Sequence, residues 1–208
     1  MSSEAIDRLN LVAMAIGHEL RNDMLSISMH AHLLAGRLPD DPSAAALVRS
    51  AERARATVED LVALARETKA FEAVRISSVI SSARLELNAI WIDHLVDDPT
   101  VRAHGSLLAR AIATLYRNAI AMSQGRPTIT TRVSTRANRV VIEIEDDGPG
   151  VATSVMTTLF EPLVSARPGG TGIGLAMCKW IVALHEGEVA LVQGQPHAVF
   201  RVELPLLH

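Results

Sequence analysis

Apolar residues recur at alternating intervals of four and three along the first part of the chain. They form one stripe from residue 5 to residue 38, which Asp23 and His30 interrupt. This spacing is typical of a long amphipathic helix that packs along the seam of a helical bundle. The stripe consists of Ile6, Leu9, Ala13, Ile16, Leu20, Ile27 and Leu34.

A second stripe begins after a short break rich in turn-forming residues. Asp41 and Pro42 end this break, and they suit the N-cap and the first position of a new helix. Two long helices joined by a short turn form an antiparallel hairpin, which cannot bury both stripes alone. We therefore expect residues 1–69 of two copies to form a four-helix bundle and a homodimer. The second stripe consists of Leu47, Ala51, Ala54, Val58, Leu61 and Ala65.

The pattern changes near Phe71, where short β-branched runs begin to alternate with helical stretches. This alternation predicts a mixed α/β domain over residues 75–208, after a linker at 70–74. Asn138 is predicted to lie in a hairpin turn. The predicted strands are 74–76, 129–133, 140–144, 189–192 and 199–204, and the predicted helices are 78–87, 107–122 and 174–184.

Composition narrows the possible environments and partners. The net charge of −3 gives no electrostatic reason to expect nucleic acid or an acidic membrane surface as a partner. No apolar run approaches the ~20 residues that span a bilayer, and no signal peptide is recognisable. The lone Cys178 excludes an internal disulfide and is predicted to be a buried thiol. We expect a cytoplasmic protein. If it is the output end of a sensor, the sensor is separate or lies in a missing N-terminal domain.

His18 is predicted to lie on the outward side of the first helix rather than on its apolar stripe. Glu19 is adjacent, and its carboxylate could hold one imidazole nitrogen as N–H and leave the other nucleophilic. Asn22 follows one helical turn later, where its amide could orient a water molecule. An idle surface histidine remains the alternative from this segment alone.

Three later segments indicate a nucleotide site. Asp146 follows a predicted strand, where its carboxylate could accept a hydrogen bond from the exocyclic amine of adenine, and Gly148 and Gly150 allow close backbone approach. The glycine-rich run 169–174 precedes a helix, a typical arrangement for binding phosphates. Asn118 offers a neutral oxygen that suits Mg²⁺. Each segment alone also has an ordinary structural explanation. The Asp146 segment could be an acidic turn, and Asn118 could be a surface amide.

Together these residues resemble the sensor histidine kinases of two-component signalling along nearly the whole chain. The segment 18–22 resembles the family's H-box, and 115–119 resembles its N-box. Residues 146–150 and 170–175 resemble its two glycine boxes, and 160–163 resembles its F-box.

The resemblance implies a dimeric helical hairpin followed by an ATP-binding α/β two-layer sandwich of the type shared with gyrase. It implies that His18 takes the γ-phosphoryl group of ATP, with Glu19 as general base, and passes it to an aspartate of a response-regulator receiver domain. It implies further that Asn118 binds Mg²⁺ and Asp146 binds adenine. The implied phosphate-binding residues are Gly170, Thr171, Gly172 and Gly174, with Arg167 as a candidate cation.

Three residues depart from the family pattern. Asp23 replaces the usual proline of the H-box, Thr114 replaces an asparagine, and Ala121 replaces a phosphate-facing lysine. Arg117 or Arg167 could substitute for that lysine, and we expect weaker nucleotide use than is usual in the family. The main alternative is a histidine phosphotransfer protein with a vestigial nucleotide domain. A non-catalytic dimeric scaffold and a plain ATPase fit the residues less well.

Overall fold

The computed structural model describes residues 3–66, 71–123, 127–162, 164–165 and 172–207. Side chains are described from residue 19 onward, except at 53, 56–57 and 59–66. The chain divides into two compact units, Met1–Thr68 and Lys69–His208.

The first unit consists of helices α1 (Ser3–Arg37) and α2 (Pro42–Arg66), which pack against each other. At their junction Asp41, the predicted N-cap, accepts a hydrogen bond through Oδ1 from the Ser43 amide at 2.7 Å. The dimerisation of this hairpin stays a prediction. His32 Nε2 of α1 lies 3.5 Å from Glu52 Oε1 of α2. No helix in the described part of the chain combines the length and apolar character needed to cross a membrane. Among the described side chains of this unit, the buried small residues are Ser28, Ala31, Ala44 and Ala51.

The second unit is a mixed α/β fold built on a five-stranded sheet with the strand order β2-β4-β5-β7-β6. β2 runs parallel to β4, and the other pairs are antiparallel. A separate two-stranded sheet pairs β1 with β3. In chain order the elements are β1 (Glu72–Arg75), α3 (Ile76–Ala83), β2 (Ile90–Leu95), β3 (Thr100–Ala103), α4 (Gly105–Met122), β4 (Thr128–Arg136), β5 (Arg139–Asp146), a 3₁₀ turn (Thr153–Val155), α5 (Gly174–Leu184), β6 (Glu188–Leu191) and β7 (Val199–Pro205).

Alternate residues of the large sheet face opposite environments, as the period of a half-buried sheet requires. One face packs against α4 and α5 and supplies the core, while the other carries ion pairs such as Arg201–Glu143 at 2.7 Å. This layering confirms the predicted α/β sandwich. Cys178 of α5 is fully buried, as predicted, and burial raises its pKa to about 12. The core residues on the strands include Ile129, Val133, Ile142, Ile144, Phe200, Val202 and Leu204.

The sequence prediction was wrong at the start of this unit. The expected strand at 74–76 is shifted, because β1 ends at Arg75 and Ile76 already begins α3. The helix is capped from a distance, since Asp98 accepts hydrogen bonds from the Ser77 amide at 2.9 Å and from its hydroxyl at 2.8 Å. Strands β2 and β3 were not predicted at all. The remaining predicted strands and helices are confirmed to within a few residues, and Asn138 lies in the β4–β5 turn with φ +66°.

Candidate functional site

Asp146 is the last residue of β5, and only 4% of its surface is exposed. Its Oδ1 accepts a hydrogen bond from the Gly148 amide at 2.9 Å. Burial raises the pKa of this carboxyl, while hydrogen bonds from the Gly148 and Ala198 backbones act in the opposite direction. A buried carboxylate held by backbone donors at a strand end is suited to directional recognition of a polar ligand group.

Gly148 and Gly150 give the segment after Asp146 a shape that larger residues would disturb. A Cβ at Gly148 would lie 2.9 Å from Asp146 Oδ1 and 3.4 Å from the Met122 carbonyl oxygen. Gly150 has φ +78°, in the left-handed region that favours glycine. Both glycines therefore have a structural reason to be present at these positions.

Helix α4 brings the predicted parts of the nucleotide site together. A Cβ at Gly174, the first residue of α5, would lie 3.2 Å from Thr114 Cγ2, whereas Gly148 approaches the carbonyl of Met122. Asn118 lies one helical turn after Thr114 and one turn before Met122, on the same side of α4. The two glycine segments therefore flank Asn118. Its side chain is half-buried, and none of the described residues makes a hydrogen bond with its amide.

The N-terminus of α5 forms the described part of the candidate phosphate region. Gly172 has φ +66° and lies two residues before Gly174, the first residue of the helix. The first backbone amides of a helix have no partners within it and are available to an anion. The predicted residues Arg167, Gly170 and Thr171 lie outside the described residues. Gly172 and Gly174 are therefore the two predicted phosphate-binding positions that the structure locates.

The unusual Thr114 is integrated into this region by hydrogen bonds. Its hydroxyl donates to the Arg110 carbonyl at 3.0 Å and accepts from Arg117 Nη2 at 3.1 Å. Thr114, which faces Gly174, thereby binds the Arg117 guanidinium, whereas Ala121 is exposed and adds no charge.

The predicted phosphoacceptor region lies in the first unit, on α1. His18 is part of this helix, and its side chain lies outside the described residues. The side chains of Glu19, Asn22 and Asp23 are all exposed. A water-accessible acid and amide thus follow His18 on the helix.

His197 is a residue of the site that sequence reasoning missed. Its Nδ1 donates to the Gly148 carbonyl at 2.9 Å, although the two residues are 49 positions apart in the chain. Asp147, also not singled out, accepts from the Thr128 amide at 2.9 Å and fixes the start of β4. No local signal indicates the role of His197, because the contact depends on the pairing of β5 with β7.

Comparison with known proteins places this geometry in a family. A family model described as the histidine kinase-, DNA gyrase B-, and HSP90-like ATPase matches residues 103–208. The sensory histidine kinase/phosphatase NtrB of Vibrio alginolyticus is 28% identical over 95% of this chain and 62% of its own length. The probable sensor histidine kinase TcrY of Mycobacterium tuberculosis is 29% identical over 91% of this chain and 44% of its own length.

A solved structure shares the fold over a similar span. Full-length ShkA in complex with AMPPNP has a TM-score of 0.67 at 21% identity, and the match covers 99% of this chain and 46% of that chain. This chain thus spans 62% or less of the length of these three proteins. Their names confirm the resemblance to sensor histidine kinases that the sequence motifs indicated. The chain belongs to the family of histidine kinase-, DNA gyrase B- and HSP90-like ATPases.

Proposed function

We propose that this chain is an ATP-dependent protein histidine kinase that phosphorylates His18 and passes the phosphoryl group to an aspartate of a response-regulator receiver domain. One observation carries the proposal: α4 holds Asn118 between the glycine segment after Asp146 and the glycine start of α5. The relatives named as histidine kinases and kinase/phosphatases support the same activity.

Adenine recognition is assigned to Asp146. The ionised carboxylate accepts a hydrogen bond from the exocyclic amine of adenine, a group that guanine replaces with a carbonyl oxygen. Because Asp146 is buried, its carboxylate would lack a hydrogen-bond partner if guanine were bound, and this penalty favours adenine over guanine. Gly148 and Gly150 keep side chains away from the base.

The triphosphate is assigned to the N-terminus of α5 and the preceding loop. Outward-pointing amides and the helix dipole both favour anions at this point. We assign Gly170, Thr171, Gly172 and Gly174 to the phosphates and Arg167 to charge compensation. Arg117, whose guanidinium is bound by Thr114, is a second cation available to this region.

The donor set fits Mg²⁺ through Asn118. Among the described residues, no group of three or more His, Cys, Asp and Glu side chains could hold a metal. An ion at Asn118 would therefore take most of its ligands from phosphate oxygens and water, as Mg²⁺ usually does. When bound, Mg²⁺ neutralises negative charge on the phosphates.

The phosphoryl transfer is assigned to His18, with Glu19 and Asn22 as its helpers. An imidazole nitrogen of His18 bonds to the γ-phosphorus while the bond to the β–γ bridging oxygen breaks, and ADP leaves. Glu19 takes up the imidazole proton as general base. Asn22 is assigned to orienting a water molecule for the reverse task of dephosphorylation, since a kinase/phosphatase is among the relatives.

The proposed assembly is a homodimer that works in the cytoplasm. Three large apolar side chains of α1 remain 42%, 46% and 47% exposed, namely Leu20, Ile27 and Leu34. They recur every seven residues, which suits a seam with a second copy. A sensor, separate or in a further N-terminal domain, would regulate this dimer.

Incubation with γ-labelled ATP and Mg²⁺ tests the proposed reaction. We expect label on the protein that survives alkali and is lost in acid, because a phosphohistidine has an acid-labile P–N bond. The label should then move to a receiver domain and leave this chain. Acid-stable label would refute the reaction. An unlabelled protein that accepts phosphate only from a phosphorylated receiver domain would indicate the phosphotransfer alternative.

A further inference from the structure

The turn between β6 and β7 packs directly against the glycine segment that follows Asp146. Half-buried His197 donates from Nδ1 to the Gly148 carbonyl at 2.9 Å. A Cβ at Gly150 would lie 3.3 Å from the Pro196 carbonyl oxygen, so the two segments also touch through their backbones. The conformation of the glycine segment therefore depends on a turn that is distant in the sequence.

Both polar groups of the Gly148 backbone are fixed by side chains. Its N–H donates to Asp146 Oδ1 at 2.9 Å, and its carbonyl accepts from His197. The Asp146 backbone is held as well, since its N–H donates to the Ala198 carbonyl at 3.2 Å. Gly148 thus couples the orientation of the Asp146 carboxylate to the imidazole of His197.

The hydrogen bond defines which nitrogen of His197 carries a proton. A carbonyl oxygen can only accept a hydrogen bond, so Nδ1 is the nitrogen that carries the proton donated to Gly148. The electrostatic influence of His197 also opposes the burial that raises the pKa of Asp146, and so favours the carboxylate form.

We propose that His197 is a positioning residue for adenine recognition, which fixes the Gly148 peptide and thereby the Asp146 carboxylate. The inference rests on the proposed function, since it assumes that Asp146 binds adenine. It predicts that His197 controls the affinity for adenine nucleotides and the preference for adenine over guanine.

Three variants test this role: His197→Ala, His197→Asn and the control His94→Ala. Asparagine places its amide N–H close to the position of Nδ1 and can restore the bond to Gly148. His94 lies on β2 and is exposed. Calorimetric titration with ATP and with GTP, in the presence of Mg²⁺, measures affinity, and thermal melting of the nucleotide-free protein measures folding.

We expect His197→Ala to bind ATP about tenfold more weakly and to narrow the ratio of ATP to GTP affinity. His197→Asn should recover most of that loss, and His94→Ala should match the wild type. Wild-type ATP affinity in His197→Ala would overturn the inference. A shared loss of affinity and melting temperature in both His197 variants would also overturn it, because the role would then be structural. A wild-type protein without ATP binding would instead refute the proposed function, and the inference with it.

Discussion

At the scale of single residues, Asp146 serves the proposed function at a cost to the fold. Burial raises its pKa, so the folded protein disfavours the charged form that adenine recognition requires. The sign follows directly: a folded-state pKa above the unfolded value makes the ionised group destabilising, and the effect grows as pH rises through the folded pKa.

Asp146→Asn separates these two effects. The amide oxygen can still accept from the Gly148 N–H, so the segment should keep its shape. We expect a higher melting temperature of the nucleotide-free protein at neutral pH, together with ATP binding weaker by about tenfold or more. Calorimetry and thermal melting measure both quantities, with Asp97→Asn as the exposed control. Unchanged ATP affinity would show that Asp146 does not contact the nucleotide.

The raised pKa of Asp146 also predicts a pH dependence of nucleotide binding. As pH falls toward that pKa, the carboxylate gains a proton and can no longer accept from the adenine amine. The affinity of the wild type, expressed relative to Asp146→Asn at each pH, should therefore fall on acidification. Because the nucleotide phosphates titrate equally with both proteins, the ratio of the two affinities does not contain their effect. A ratio that stays constant as the pH is lowered would contradict the assignment.

At the scale of elements, Arg84 joins three elements of the second unit, α3, β2 and β4. It follows α3, pairs with Asp93 of β2 at 2.7 Å, donates to Thr131 of β4 at 2.9 Å and lies 4.4 Å from the centre of the Trp91 ring. The partly buried guanidinium thus combines an ion pair with a cation–π contact. It holds the edge strand β2 against the helical layer.

Arg84→Met should destabilise the second unit by about 2 kcal/mol, because it leaves Asp93 without its partner and removes the stacking on Trp91. Asp93→Asn should lower the stability less, because Arg84 keeps its hydrogen bond to Thr131 and its contact with the Trp91 ring. Chemical denaturation of the two variants gives this order directly. A larger loss of stability in Asp93→Asn than in Arg84→Met would mean that the ion pair, rather than the stacking on Trp91, makes the larger contribution to stability.

The elements that sequence predicted and those it missed differ in where their partners lie. α4, α5 and β4 to β7 carry their own periodicity, and Asp41 caps α2 from the adjacent residue. β2 was missed because Asp93 and His94 break its apolar pattern, and Arg84, the partner of Asp93, lies outside the strand. The start of α3 was missed because its cap, Asp98, is 21 residues away.

The same distinction applies to the candidate site. Asp146 and the glycines were identifiable because strand end, acid and glycine follow one another in the chain. His197 was not, because its partner Gly148 is reached only through the folded sheet.

At the scale of the whole molecule, the proposal requires two copies of the helical unit. Leu20, Ile27 and Leu34 form one exposed apolar stripe on α1, and Leu25 lies on a different side of the same helix at 60% exposure. The stripe would be buried in a four-helix bundle and is unfavourable in an isolated hairpin.

Ile27→Lys should therefore shift the protein from dimer to monomer in sedimentation at micromolar concentration, because it places a charge in the seam. Leu25→Lys is the matched control and should remain dimeric. A wild type that sediments as a monomer, or equal behaviour of the two variants, would reject this seam.

The central claim is that His18 is the phosphoryl acceptor, and mass spectrometry at neutral pH after incubation with ATP and Mg²⁺ tests it most directly. His30 is the natural control, since it lies on the same helix with its Nδ1 donating to the Ser26 carbonyl at 2.8 Å. The account predicts phosphate on His18 in the wild type and in His30→Ala, and none in His18→Ala. Phosphate that persists in His18→Ala, or that maps to another residue, would contradict it.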